Sequence, residues 1–279
     1  MIRTLLLTTV AVLLTTSFIR AAAIPPGADG VDKALAASPR HGEFVDIEMP
    51  GSDQKLRAWV VYPERKEKAG VVIVIHEIFG LSDWVRGVAD QLAADGFIAI
   101  APDFLSGRGR NGGGTKEIGE KNVRDEIRKL SPQEVNQRID AARAYGLKLP
   151  AANGNSATIG FCWGGAASFR YATHQPKLNA AVVYYGAAPR KDETADTDAL
   201  KKIEAPVLGL YGGDDARVNA TIDETKKILD ESKKSYTPHI YDGAGHGFLR
   251  QQSERGGANE KASKEAWGET VTFLKKQLE

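Results

Sequence analysis

Around its single cysteine the chain reads Gly160-Phe161-Cys162-Trp163-Gly164-Gly165, and this stretch is the strongest indication of the fold. It has the G-x-nucleophile-x-G form of a sharp turn that joins a strand to a helix and exposes the central side chain. The apolar residues 157–159 predict the strand, and the small residues after 163 predict the start of the helix. Glycines allow the strained backbone of such a turn and the close passage of its two arms. Cys162 is therefore a candidate nucleophile, the alternative being a small buried apolar side chain.

Residues 1–23 predict an export signal. Arg3 precedes an apolar run over residues 5–14, and three alanines at 21–23 offer a cleavage site. The run is shorter than the roughly 20 apolar residues of a membrane span, although an uncleaved anchor is an alternative. We expect an exported protein, periplasmic or extracellular, without stable membrane association after cleavage. Residues 24–42 then predict a polar lead-in, and residues 43–279 a single domain.

Composition argues against several other classes of protein. Lys and Arg number 37 against 36 Asp and Glu, and the two signs are mixed along the chain, so no nucleic-acid partner is expected. One cysteine cannot close an internal disulfide, so stability must come from a core. The histidines show no ligand spacing, and His76-Glu77 lacks the second histidine of a zinc-binding helix. We expect no metal or other cofactor, and a monomer is favoured.

Strand-like and helix-like segments alternate beyond residue 43. Predicted strands cover 44–49, 56–62, 71–75, 97–101, 157–159, 180–185, 207–211 and 236–241, and predicted helices cover 84–95, 132–148, 219–233 and 261–278. The first two strands read as an antiparallel pair, and the apolar run 71–75 is typical of a strand buried on both faces. The alternation predicts an α/β fold with a mostly parallel central sheet and helices on both faces. The glycine-rich stretch 107–114 lacks the G-K-[ST] of a phosphate loop and predicts a mobile loop.

Three polar residues follow predicted strands in the order nucleophile, acid, histidine. They are Cys162, Asp215 and His246. The carboxyl ends of parallel strands meet at one edge of a sheet, and this chain order is that of α/β-hydrolase triads. An imidazole can accept or balance the thiol proton and later protonate a leaving group, while a carboxylate orients the ring. Each residue alone is a weak signal, since Asp214 or Asp215 can simply cap a helix, but together they predict a catalytic site.

Over residues 44–278 the chain resembles the dienelactone hydrolase family of the α/β-hydrolase fold. The resemblance is carried by HEIFG at 76–80, APDF at 101–104, GFCWGG at 160–165, GGDD at 212–215 and AGHGF at 244–248. It implies a hydrolase that cleaves a small ester or lactone through an acyl-thioester. The catalytic cysteine of the family falls on Cys162, its histidine on His246 and its acid on Asp215, with Asp214 as the alternative acid.

The resemblance also implies roles for other residues of the same crevice. Glu77 corresponds to a glutamate that holds the resting thiol and takes part in thiolate formation, although an acid at a helix start is the alternative. The N–H groups of Ile78 and Trp163 correspond to an oxyanion hole. Arg250 matches an arginine that recognises a substrate carboxylate. Three further arginines are candidates for a second one: Arg108, Arg110 and Arg124.

Two other functions stay open at this level. A non-catalytic binding protein or a thiol sensor would use the same scaffold, because an exported thiolate is exposed to oxidation. A peptidase of this fold would carry a large lid or a propeller domain, and the sequence indicates neither. Four aromatic residues near strand ends are candidates for either the pocket or the core: Trp84, Trp163, Tyr184 and Phe248.

Overall fold

The computed structural model describes residues 23–279, so the predicted export signal lies outside the described part of the chain except for Ala23. Across these residues, no helix combines the length and the apolar character needed to cross a membrane.

The strands form one large sheet and one small hairpin. The strands are β1 (Gly42–Glu48), β2 (Lys55–Val61), β3 (Ala69–Ile75), β4 (Ile98–Pro102), β5 (Ala152–Phe161), β6 (Ala180–Tyr184), β7 (Arg190–Lys191), β8 (Thr194–Ala195), β9 (Val207–Gly212) and β10 (Tyr236–Tyr241). The sheet order is β1-β2-β4-β3-β5-β6-β9-β10, while β7 and β8 pair separately. The pairs β1–β2 and β2–β4 are antiparallel, and every later neighbour is parallel. The predicted mostly parallel sheet is confirmed.

Helices cover both faces of this sheet, as predicted. They are α1 (Val31–Ala37), α2 (Asp83–Ala94), α3 (Thr115–Ile118), α4 (Glu120–Arg128), α5 (Pro132–Lys148), α6 (Trp163–His174), α7 (Thr197–Leu200), α8 (Ala216–Asn219), α9 (Ile222–Glu231) and α10 (Ala258–Leu278). Side chains of β3 alternate between two apolar clusters, because successive residues of a strand point to opposite faces. Ile73 belongs to the cluster on the face that β3 shares with α5, and Val74 belongs to the cluster on the face that β3 shares with α2 and α10.

Two short helices were not predicted. The helix predicted over 219–233 is found as α9, with its ends drawn in to Ile222 and Glu231, and the separate helix α8 precedes it. Asp215 caps α8 by accepting from the Val218 N–H, and the Thr221 hydroxyl donates to the Val218 carbonyl where α8 ends. The polar lead-in carries α1, which packs on α2 through Val31 at a position where Gly87 leaves room for it.

The glycine-rich stretch 107–114 follows a defined path around a buried carboxylate. Asp103 accepts hydrogen bonds from the Leu105 N–H at 2.9 Å and from both the N–H and the hydroxyl of Thr115 at 2.7 Å. Within the stretch, Gly109 N donates to Gly113 O at 2.8 Å. The loop is thus tied to the end of β4, and its mobility stays a prediction.

Candidate active site

Cys162 occupies the strained turn that the sequence predicts. It lies between the end of β5 and the start of α6, with φ 56° and ψ −115°. A Cβ atom on Gly160 would come within 1.9 Å of the Gly164 carbonyl oxygen, and one on Gly164 within 2.3 Å of the Ile75 carbonyl oxygen. Only glycine fits at these two positions, since the strand and the helix touch through their backbones. The turn leaves the Cys162 side chain partly exposed at the carboxyl edge of the sheet.

The end of β6 fixes this turn from the other side. The Cys162 N–H donates to the Tyr184 carbonyl at 3.1 Å. A Cβ atom on Gly186 would lie 2.3 Å from the Ala166 nitrogen, so the chain beyond β6 passes directly over the first turn of α6. The nucleophile turn and the end of β6 therefore form one rigid unit.

His246 and Asp215 form the hydrogen-bonded pair of the site. The distance from His246 Nδ1 to Asp215 Oδ2 is 2.5 Å, and the exposed fractions of the two side chains are 34% and 7%. The loop that carries the histidine is held by Asn259, whose Oδ1 accepts from the Gly245 N–H at 2.9 Å. With Nδ1 committed to Asp215, Nε2 is the nitrogen left for the thiol of Cys162.

The two partners stabilise each other's charge. Burial opposes the charged imidazole, but its interactions with Asp215 and Cys162 outweigh burial and raise the pKa of His246 to about 9. Burial also opposes the charged carboxylate, and the hydrogen bond from His246 nevertheless holds the pKa of Asp215 below its ordinary value. At neutral pH the pair is an imidazolium and a carboxylate, which gives the site a proton to donate.

The structure separates the two neighbouring aspartates. Asp215 points to His246, whereas the exposed Asp214 pairs with Arg255. The geometry therefore assigns the histidine to Asp215, because the two adjacent side chains point in different directions from the end of β9.

Glu77 and Arg250 form a buried ion pair beside the cysteine. Glu77 is only 3% exposed, and its Oε2 lies 2.8 Å from Arg250 Nε. The pair is poorly aligned, and neither of these two atoms has a hydrogen-bond partner among the described residues. Burial raises the pKa of the Glu77 carboxyl, although the charges of Arg250 and His246 act against that rise. A carboxylate of raised pKa is a better proton acceptor than an exposed one.

The structure brings one further arginine to this part of the site. The guanidinium carbons of Arg124 and Arg250 lie 4.8 Å and 4.9 Å from the ring centroid of Phe79. Arg124 is an exposed residue of α4. Arg108 instead pairs with Glu134 at 2.7 Å.

Arg110, the remaining candidate, is an exposed residue of the turn Arg110–Gly112. Of the three arginines that the sequence leaves open, Arg124 is thus the one whose guanidinium group lies over the Phe79 ring together with that of Arg250.

Two backbone amides lie at the positions implied for an oxyanion hole. Trp163 is the first residue of α6, where an N–H has no acceptor within its own helix. Ile78 follows β3 and Glu77, and within residues 23–279 its N–H donates no backbone hydrogen bond. Both groups are therefore available to a ligand.

His76 is a buried structural residue next to these groups. Its Nδ1 lies 2.7 Å from the Glu77 carbonyl oxygen and its Nε2 accepts from the Phe104 N–H at 3.2 Å. Burial lowers the pKa of His76, so the ring is neutral and carries its proton on Nδ1. The ring also stacks on Trp163 with centroids 5.7 Å apart. His76 therefore ties the loop after β3 to the loop after β4 and to the start of α6.

The structure decides between pocket and core for three of the four candidate aromatic residues. Tyr184 points into the core, where its hydroxyl lies 2.8 Å from Thr270 Oγ1. Trp84 and Phe248 are also buried core residues. Sequence reasoning missed Tyr185, whose ring centroid lies 5.1 Å from that of His246. The available signal was Gly186, which marks a close backbone approach just after this tyrosine.

Residues 23–279 contain no group of three or more His, Cys, Asp or Glu side chains placed to hold a metal ion.

Comparison with known proteins identifies the family. The dienelactone hydrolase family profile matches residues 56–278. A Saccharolobus solfataricus protein provisionally named carboxymethylenebutenolidase is 30% identical over 256 residues, which cover 80% of this chain and 94% of that protein. A Yersinia pestis protein with the same provisional name is 30% identical and covers 72% of this chain and 76% of its own length. The crystal structure of a protein provisionally named dienelactone hydrolase from Klebsiella pneumoniae has a TM-score of 0.72 and 26% identity, covering 84% of this chain and 98% of that one. This chain belongs to the dienelactone hydrolase family.

Proposed function

We propose that this protein hydrolyses a carboxylic ester or lactone through Cys162, His246 and Asp215 by way of an acyl-thioester. Membership of the family assigns the chain to the ester and lactone hydrolases. The observation that carries the mechanism is the nucleophile turn, with Cys162 at its tip and the His246–Asp215 pair beside it. A thiol held in a strained turn next to a protonated imidazole is the arrangement that nucleophilic catalysis needs.

The first half of the proposed reaction forms the thioester. The thiol proton passes to Glu77, whose carboxyl has a raised pKa because of burial, and the imidazolium of His246 stabilises the resulting thiolate. The sulfur attacks the carbonyl carbon, and the oxyanion accepts hydrogen bonds from the N–H groups of Ile78 and Trp163. As the carbon–oxygen bond breaks, the alkoxide takes the proton of His246.

The second half releases the acid. His246 is now neutral and accepts a proton from water, which attacks the thioester carbon. The carbon–sulfur bond breaks, the thiolate leaves, and Glu77 returns the proton that it accepted. Asp215 holds the imidazole by Nδ1 throughout, so that Nε2 always faces the reacting atoms.

The arginines suggest the kind of substrate. Arg250 and Arg124 flank Phe79, so a flat acyl group lying near this ring would meet two guanidinium groups. Guanidinium groups bind carboxylates through directed, charge-assisted hydrogen bonds. We therefore propose a substrate that carries a free carboxylate next to the scissile ester or lactone. Because residues 1–23 have the pattern of an export signal, we also propose that the reaction takes place outside the cytoplasm.

Substitution of the cysteine tests the proposal. In Cys162→Ala, hydrolysis of p-nitrophenyl esters and of lactones should fall to the level of the uncatalysed reaction. The circular dichroism spectrum should stay that of the native protein, because alanine removes only the sulfur from a partly exposed side chain. Undiminished ester hydrolysis in this variant would contradict the mechanism.

A further inference from the structure

Tyr185 belongs to the row of residues that follows the strands of the crevice. The neighbouring strands β3, β5, β6 and β9 are followed by Glu77, Cys162, Tyr185 and Asp215 respectively. Tyr185 takes the left-handed backbone conformation, with φ 40°, and its N–H donates to the Leu210 carbonyl at 2.9 Å. A bulky residue in this conformation is strained, and such strain concentrates at functional sites.

The hydroxyl of Tyr185 is buried without a hydrogen-bond partner. The residue is 1% exposed, and its oxygen has no partner among the described residues. Glu77 Oε2 and Arg250 Nε, in the same crevice, lie 2.8 Å apart as a poorly aligned ion pair, so of these three groups only the phenol is left without a partner. Buried polar atoms are nearly always paired, so an unpaired phenol in the crevice of a reactive cysteine needs an explanation.

Other buried tyrosines in the described part of the chain have hydrogen-bond partners for their hydroxyl groups. Tyr184 pairs with Thr270, Tyr211 pairs with Tyr236, and Tyr171 donates to Asp140 at 2.7 Å. The fold therefore satisfies its core phenols, whereas it leaves the hydroxyl of Tyr185 free in the crevice.

Charged and titratable groups from several elements lie around Tyr185 and Cys162. Glu77 comes from the loop after β3, and His246 and Arg250 come from the loop after β10, with Asp215 behind the imidazole. Burial and the nearby Glu77 and Cys162 raise the pKa of Tyr185 well above its usual range, so the phenol stays protonated. A protonated phenol facing an anion acts as a hydrogen-bond donor.

Two groups near this donor can carry a negative charge. Glu77 already has Arg250 at 2.8 Å, whereas a thiolate on Cys162 has His246 as its charged partner and no guanidinium paired with it in the described chain. We propose that the Tyr185 hydroxyl donates a hydrogen bond to the thiolate of Cys162 and so favours its ionised form. This role deepens the proposed function and rests on Cys162 being the nucleophile.

Alkylation of the thiol tests this role without any ester. Iodoacetamide reacts with the thiolate, and the chain has a single cysteine, so the rate against pH reports on Cys162 alone. In Tyr185→Phe we expect the midpoint of this profile to move upward by about one pH unit, the shift expected when a charged group loses one hydrogen bond. The control Tyr184→Phe removes the neighbouring hydroxyl, which faces Thr270 in the core, and should leave the midpoint unchanged.

The direction of the shift decides the proposal. If the hydroxyl serves Glu77 instead, its loss makes that carboxylate harder to ionise, so the thiol midpoint moves downward. A downward shift or no shift therefore overturns the proposal, while loss of hydrolysis in Cys162→Ala would still support the nucleophile. Should Tyr185→Phe fail to fold, a crystal structure of the native protein above the midpoint pH serves instead. The hydroxyl should then contact Cys162 Sγ, and a hydroxyl bonded to Glu77 would overturn the proposal.

Discussion

Two loops at the same edge of the sheet each carry a histidine, and the two histidines have opposite charge states and different roles. His76, after β3, is fully buried between the Glu77 carbonyl and the Phe104 N–H, and burial lowers its pKa. His246, after β10, is one-third exposed and faces Asp215, and its pKa is raised to about 9. The first ring is neutral with both nitrogens occupied, while the second is charged with one nitrogen left for chemistry.

The difference shows what separates a framework residue from a reactive one in this crevice. The described residues around His76 satisfy both of its nitrogens, so its removal should act on folding. His246 has a carboxylate partner on one side only, so its removal should act on the reaction.

Substitution of the two histidines should produce opposite results. His246→Gln should lower kcat by about 10⁴-fold or more, because residues of a triad act as a unit, and should cost stability only below about pH 9, where the ion pair with Asp215 contributes. His76→Leu should instead destabilise the fold by about 1–3 kcal/mol, because it leaves the buried Phe104 N–H without a partner and removes one of the two donors to the Glu77 carbonyl. Steady-state kinetics and urea unfolding of both variants measure the two effects. A large loss of stability in His246→Gln with normal kcat would reverse the assignment.

The adjacent aspartates offer a matched pair. Asp215→Asn should lower kcat by about 10³–10⁴-fold, because the amide no longer fixes the imidazole tautomer or balances its charge. Asp214→Asn removes an exposed ion pair with Arg255 and should change stability by less than about 1 kcal/mol and kcat hardly at all. Equal kinetic effects in the two variants would show that the geometry at the end of β9 does not select the acid.

The exposed arginine of the site should set substrate preference. Arg124→Gln should lower kcat/KM for esters with a free carboxylate by about 3–10-fold, a modest effect because solvent screens the guanidinium. It should leave neutral esters unaffected. Arg128→Gln, on the same helix and paired with Asp125, is the control. The same loss for charged and neutral esters would remove Arg124 from carboxylate recognition.

The ion pair between His246 and Asp215 should also make the stability of the protein depend on pH. His246 has a folded-state pKa of about 9 against an ordinary value of 6.5, so the stability it contributes is complete below 6.5 and is lost as pH rises to 9. The melting temperature of the native protein minus that of Asp215→Asn should therefore shrink over this window. A difference that stays constant from pH 6 to pH 10 would contradict the raised pKa.

The central strands and the long helices could be predicted from the sequence, whereas the short peripheral helices could not. Continuous apolar runs such as 71–75 indicate strands buried on both faces. The capping box formed by Ser131 and Glu134 indicates where α5 begins. Helix α4 was missed because its apolar residues, Val123 and Ile127, are only two within a charged segment. Its burial depends on tertiary contacts that no local pattern records.

The candidate site divides in the same way. Cys162 and His246 stand in glycine-flanked turns, which a sequence reveals. Gly160 and Gly164 meet backbone atoms that exclude a side chain, and Gly247 has a φ of +78°, which favours glycine.

Tyr185 and Arg124 carry weaker local signals. Tyr185 is followed by Gly186 but reads as the last residue of the predicted strand 180–185, and Arg124 is one of several charges on a polar helix. Their place in the crevice follows from strand order and from the packing of α4, which the structure supplies.

Trapping the acyl-enzyme shows directly whether Cys162 is the residue that receives the acyl group. The native protein is mixed with a p-nitrophenyl ester, quenched in acid within the first turnover, digested and analysed by mass spectrometry. We predict that the acyl mass is found on the peptide that contains Cys162, that hydroxylamine removes it, and that it accumulates in His246→Gln supplied with a thioester-forming activated substrate. An acyl group found on another residue, or none in the native protein while it turns over, would contradict the account.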